Sequence, residues 1–144
     1  MSKKGCNMDL LKLIISVLTG FIGWLVGGWT LLLSVLFILN IIDYATGITA
    51  AALYGKISSK QGLKGIVKKI MIWVWVAVAN LVYMTTNHLG LDLGQILPNA
   101  VAVLFIINEV VSIGENSGKL GYPVPEPIAH ALEVFNKTKE KDVR

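Results

Sequence analysis

Charged and apolar positions are segregated along this chain rather than interleaved. Between Leu13 and Tyr54 the only charged residue is Asp43, and between Ile70 and Ile113 there are only Asp92 and Glu109. Apolar runs of that length predict membrane spans. The first run, Leu13 to Leu53, would be roughly 60 Å long as one helix, twice the ~30 Å hydrocarbon core, so it has to fold back. Gly27-Gly28 is the natural break, because paired glycines adopt the backbone angles a reversal needs. Trp24 and Trp29 flank it, rings suited to the headgroup level. The pattern therefore predicts spans over 13–27, 29–53, 66–87 and 93–113, with Pro98 near the start of the last, where proline is tolerated. The expected fold class is an all-α membrane protein with about four transmembrane helices. Residues 1–12 form a short N-terminal segment, 55–69 a basic loop and 114–144 a polar tail.

Composition agrees with this. The chain has 144 residues, 54% hydrophobic and 15% charged, against about a quarter charged in a soluble domain. So short a chain could not cover that much apolar surface with its few polar residues. Lys3 and Lys4 before an apolar run have the form of a secretory signal, but no small-x-small cleavage site follows, so span one is read as retained.

The lysines set an expected orientation. Lys56, Lys60, Lys64, Lys68 and Lys69 lie in 55–69, whereas Thr86–Leu97 has no Lys or Arg. Lys3 and Lys4 precede span one, and four lysines and Arg144 follow Ile113. Positive segments stay cytoplasmic, and four spans put both termini and the basic loop on that side. A three-span reading, with span one on the membrane surface, keeps the same orientation for the rest. The net charge of +4 is thus accounted for at span boundaries and is no sign of nucleic-acid binding. The lysine segment is a candidate for contact with anionic headgroups.

Polar residues at membrane depth are the candidate functional positions. Asn40, Asp43 and Gly47 share one face of span two, together with Ala50. Asn80 lies near the centre of span three, and Asn108 and Glu109 lie in span four. A central aspartate costs roughly 2.5–3.5 kcal/mol on insertion scales, so Asp43 should not face lipid. No lysine or arginine is expected inside a span to pair with these acids. They are candidates for lining a pore or for hydrogen bonding between helices, and one face can do both. Ser16, Gly20, Gly23 and Gly27 form a small-residue face on span one that permits close helix approach.

Catalysis and metal chemistry find no support. Gly114-Glu115-Asn116-Ser117-Gly118-Lys119 is one residue short of a phosphate-binding loop, and Leu120 replaces its Ser or Thr. His88 and His130 are isolated, and Cys6 is the single cysteine. No nucleophile, base and oxyanion site assemble, so neither an enzyme nor a cofactor is expected. In the tail, Pro123 and Pro125 forbid regular helix. An amphipathic helix is expected over about 126–139, with Ile128, Leu132 and Phe135 on one face.

Three stretches together resemble the toxin-secretion and phage-lysis holin family. They are Ile42-Asp43-Tyr44-Ala45-Thr46-Gly47; Gly55-Lys56-Ile57-Ser58-Ser59-Lys60, continuing through Gly62, Lys64-Gly65 and Lys68-Lys69; and Asn108-Glu109-Val110-Val111-Ser112-Ile113 through Glu115-Asn116, followed by Gly121-Tyr122-Pro123-Val124-Pro125. The resemblance covers roughly Leu36–Phe135. It implies a homo-oligomer in the bacterial host's cytoplasmic membrane that opens lesions and releases an endolysin or a toxin without binding it directly. Two other readings stay open on the residues alone: a small ion or solute channel with acidic rings, and a non-conducting anchor that recruits a partner through the basic loop and tail.

Overall fold

The computed structural model describes residues 3–91, 94–130 and 133. They form four long helices, α1 (Lys3–Leu25), α2 (Leu31–Leu53), α3 (Ser59–His88) and α4 (Ile96–Lys119). Each is long and apolar enough to cross a membrane, as the segregated pattern predicts. The amphipathic helix expected over 126–139 opens as a helical turn, where the Ile128 and Ala129 N–H groups donate to the Pro125 carbonyl at 2.9 and 3.0 Å. Residues 131, 132 and 134–144, with Leu132 and Phe135 among them, lie outside the described residues.

All four helices end in the same way. A glycine with positive φ follows each last turn, namely Gly27, Gly55, Gly90 and Gly121. The next residue's N–H reaches back five positions, as from Gly28 to the Gly23 carbonyl at 2.8 Å and from Tyr122 to the Ser117 carbonyl at 3.0 Å. This closure satisfies carbonyls that a helix end leaves without partners. At Gly27 (φ 82°) the need for glycine is double, since a Cβ would also run into the side chain of Asn80. Thr30 then caps α2, its hydroxyl accepting from the Leu33 N–H at 3.3 Å.

Helix α3 has 30 residues, about 45 Å of helix. It begins at Ser59, so Lys60, Lys64, Lys68 and Lys69 are helical and the connection from α2 is short. Helix α4 likewise continues past Ile113, where the apolar run stops, to Lys119. Both extensions bring polar side chains into register with the bundle.

Helices α2, α3 and α4 pack together, while α1 touches only α3. Asn116 of α4 meets Asp43 of α2, and Tyr54 just past α2 meets Lys119 at the end of α4. These two helices therefore run in the same direction and pack directly on each other, with α3 packed against both, mainly against α4. The buried positions of α2 are 33, 36, 40, 43 and 50, and half-buried Gly47 fills the one wider gap, so this face repeats every three or four residues. On α4 they recur at Ala102, Glu109 and Asn116, seven apart. That is the spacing of a continuous helix–helix seam.

The seam is apolar toward the Gly27-Gly28 end. Val26, Leu33, Leu36, Ile72, Val76 and Ala102 form the core there, with Trp73 and Phe105 packed against it. Trp29 stacks on Trp73 (centroids 6.0 Å apart, planes 9° from parallel), and Phe37 meets Trp73 edge-on at 6.2 Å. Outside, large apolar side chains are exposed along every helix, while Asn40, Asp43, Asn80, Glu109 and Asn116 are buried. This inverts the arrangement of a water-soluble domain. It fits a solvent of lipid, in which polar side chains must turn inward.

Candidate functional site

Toward the lysine-rich end the same seam turns polar, and three helices contribute to one cluster. The Lys69 ammonium on α3 donates to Asp43 Oδ2 on α2 at 2.6 Å and also pairs with Glu109 Oε2 on α4. The Asn116 amide donates to Asp43 Oδ1 at 3.1 Å, so both carboxylate oxygens of Asp43 are held. It also lies 3.4 Å from the Asp43 carbonyl and from the Thr46 hydroxyl. Glu109 is completely buried and the Asp43 side chain 10% exposed.

The expectation that no cation lies within a span to meet these acids is therefore wrong. Lys69 sits ten residues into α3, one helical turn before the buried Ile72. The charge pattern places it at the edge of the lysine segment. Packing turns it inward, where the attraction of two carboxyl groups offsets the cost of removing its charge from water. One ammonium serves two acids, so the three groups sum to −1 when all are ionised.

Small residues make the approach possible. A Cβ at Gly47 would lie 3.3 Å from the Asn116 amide nitrogen, and one at Gly65 would lie 3.2 Å from the Tyr44 ring. Gly62 sits below the Tyr44 hydroxyl. Gly62, Gly65 and Lys69 share one face of α3, so the ring of Tyr44 and the charges of Asp43 dock on neighbouring turns. The three stretches singled out in the sequence thus meet at one place.

Not every group in this region is satisfied. Both polar atoms of the Asn40 side chain and Oε1 of Glu109 are buried with no hydrogen-bond partner among the described residues. Buried polar groups without partners are uncommon and costly.

The remaining candidate residues are distributed differently. The Asn80 amide donates to the Leu25 and Trp24 carbonyls at 3.1 and 3.4 Å, tying the end of α1 to α3. Asn108 is exposed, although its neighbour Glu109 is buried. Ser16 is exposed and returns its hydroxyl to the Lys12 carbonyl of its own helix at 2.9 Å. Gly20 and Gly23 have no other atom near the place a Cβ would take. Lys56, Lys68 and Lys69 line a cavity of about 790 Å³ beyond the charged cluster, whereas Lys60 and Lys64 are exposed away from it.

Tyr44, Gly62, Gly65 and Asn116 stood in the sequence only as members of the three stretches, without a role of their own. The available signal was spacing. Asn116 follows Glu109 by seven residues, two helical turns on one face, once α4 is carried past the apolar run.

The sequence of this chain is similar to those of several known proteins. Residues 20–137 match the bacteriophage holin family. The chain is 39% identical over 132 residues to an uncharacterized protein of Halalkalibacterium halodurans, covering 92% of this chain and 98% of the relative. It is 35% identical over 117 residues to an uncharacterized 14.9 kDa protein in the nagH 3′ region of Clostridium perfringens (81% and 85% covered). A probable holin of Bacillus phage phi105 is 33% identical over 114 residues, with 76% of this chain and 81% of the relative covered. No solved structure gives a significant match.

Proposed function

This chain belongs to the bacteriophage holin family, and on that premise we propose that it oligomerises in a bacterial cytoplasmic membrane and opens lesions that release an endolysin or a toxin. The family is one of membrane-permeabilising proteins and not of enzymes. The observation that carries the proposal is the Asp43–Lys69–Glu109–Asn116 cluster, buried in a bundle whose outer surface is apolar. A charged seam of this kind is stable only while its members hold one another, and when the helices separate it becomes a wall that water can wet.

Two further features support self-association. No residue of the apolar stretch Met8–Leu25 is buried, only Gly23 and Leu25 being half-buried, and among the described residues no other atom lies near the place a Cβ would take at Gly20 or Gly23. The unpartnered polar atoms of Asn40 and Glu109 are the second. In an assembly, a second copy supplies the helix surface for the first and hydrogen-bonding groups for the second. The pore-lining residues in this reading are Asn40, Asp43, Gly47 and Glu109. The lysine-rich end and both termini face the cytoplasm by the positive-inside rule.

Induced expression in a bacterium should stop growth abruptly and, with a muralytic enzyme in the cytoplasm, lyse the culture. In liposomes the purified protein should release a large labelled dextran together with ions. Release of ions alone identifies a selective channel instead, and continued growth at high membrane levels of the protein refutes lesion formation.

A further inference from the structure

The cavity beyond the charged cluster lies at the lysine-rich end, between the last turns of α2 and α4 and the first turns of α3, and has a volume of about 790 Å³. Lys56, Lys68 and Lys119 line it from three different segments. None of the three forms an ion pair with a described acid. Lys69, which also lines the cavity, is already engaged by Asp43 and Glu109. Asp43 is the one acid among the lining residues, and both of its oxygens are bonded. Among the described residues these three lysines have no acid of their own, and set against the net −1 of the adjoining Asp43–Lys69–Glu109 cluster they leave a net charge of +2 at this end.

Its other wall is different in character. Ile48, Ala51 and Ile57 line it with apolar surface, and Ile48 and Ile57 are otherwise exposed. Two helices end here, and the exposed carbonyls of helix C-termini repel anions. One of these carbonyls, that of Lys119, accepts from the Tyr54 hydroxyl at 2.9 Å and is occupied. The opposite, favourable helix end is supplied by α3, whose first residue Ser59 lines the same cavity.

We propose that this cavity binds the phosphate-bearing headgroup of an anionic membrane lipid, the phosphate at Lys56, Lys68 and Lys119 and an acyl chain against Ile48 and Ala51. A cationic mouth next to an apolar wall, at the level where the spans end, matches an amphiphile better than a free anion. A lipid seated there touches α2, α3, α4 and the α2–α3 connection at once. It braces the same three helices that the charged cluster joins. The site rests on the membrane reading for its depth and does not depend on lesion formation.

Native mass spectrometry of the full-length protein in detergent tests this without a lysis readout, so its failure is distinct from failure of the lesion proposal. Phosphatidylglycerol, phosphatidylcholine and inorganic phosphate are titrated separately. Wild type should retain one phosphatidylglycerol about tenfold more tightly than phosphatidylcholine, and inorganic phosphate should not displace it. The triple variant Lys56→Gln, Lys68→Gln, Lys119→Gln should lose this preference, each lysine contributing roughly up to fivefold. The charge-matched variant Lys12→Gln, Lys60→Gln, Lys64→Gln lies outside the cavity and should keep it. Equal loss in both variants, or no preference in wild type, overturns the site. Displacement by millimolar inorganic phosphate overturns the lipid as its occupant.

Discussion

The two halves of the α2–α3–α4 seam solve the same packing problem with opposite chemistry. Near the Gly27-Gly28 turn, Leu33, Leu36, Ile72, Val76 and Ala102 interlock with no polar group among them. Near the lysine-rich end the equivalent positions carry Asp43, Lys69, Glu109 and Asn116. In water the apolar half would be the stronger, since burial itself drives association. In lipid that advantage disappears, because the surrounding chains are as apolar as leucine. The apolar half then contributes close packing, and the polar half contributes interactions that the bilayer cannot replace. The polar half is also the one that holds unpaired groups, so it is the half poised to change partners.

The largest expected effect separates these halves directly. Lys69→Met leaves Asp43 and Glu109 buried without their cation and should cost about 3–5 kcal/mol. Leu36→Ala, at a fully buried position of the apolar half, keeps only the cavity term and should cost about 2 kcal/mol or less. Unfolding both variants in bilayers or mixed micelles measures the difference. Combining Lys69→Met with Asp43→Asn and Glu109→Gln should recover most of the loss. A Lys69→Met protein as stable as wild type would break the contrast between the halves.

A smaller effect of opposite sign is expected at Asn40. Its side chain is buried and neither polar atom has a partner among the described residues, so Asn40→Leu should stabilise the isolated protomer by about 1 kcal/mol or more. If Asn40 is used in the assembly, the same variant should delay or abolish lysis in cells. A stabilised variant that lyses on schedule would restrict the assembly surface to other residues.

The smallest effect is at the rim of the polar half. Tyr54→Phe removes the hydroxyl that reaches the Lys119 carbonyl at 2.9 Å. It should cost about 0.6 kcal/mol, the average for a hydrogen bond between membrane helices. Faster amide exchange confined to the end of α4 would check it. A larger global loss would mean that the rim, and not the Asp43 cluster, anchors this half.

The four spans, the reversal at Gly27-Gly28 and the inward face of Asn40, Asp43, Gly47 and Ala50 were legible in the residues alone. Those features follow from local rules: the length of an apolar run, the backbone freedom of glycine, and the helical repeat that places residues three and four apart together. The family was legible too, because its three stretches keep their order along the chain. What only the tertiary structure decided is which of these stretches meet. Lys69 reads as one more basic residue at a membrane boundary until α3 is seen to begin at Ser59 and to pack against two acids on different helices. Asn80 reads as a mid-membrane polar site until it is found closing the end of α1. Asn116 lies beyond the apolar run, yet it bonds Asp43 from 73 positions away. Helical periodicity states which way a side chain points, but its partner depends on the register between helices. That register is set by contacts distant in sequence, such as Gly47 beneath Asn116 and Gly65 beneath Tyr44.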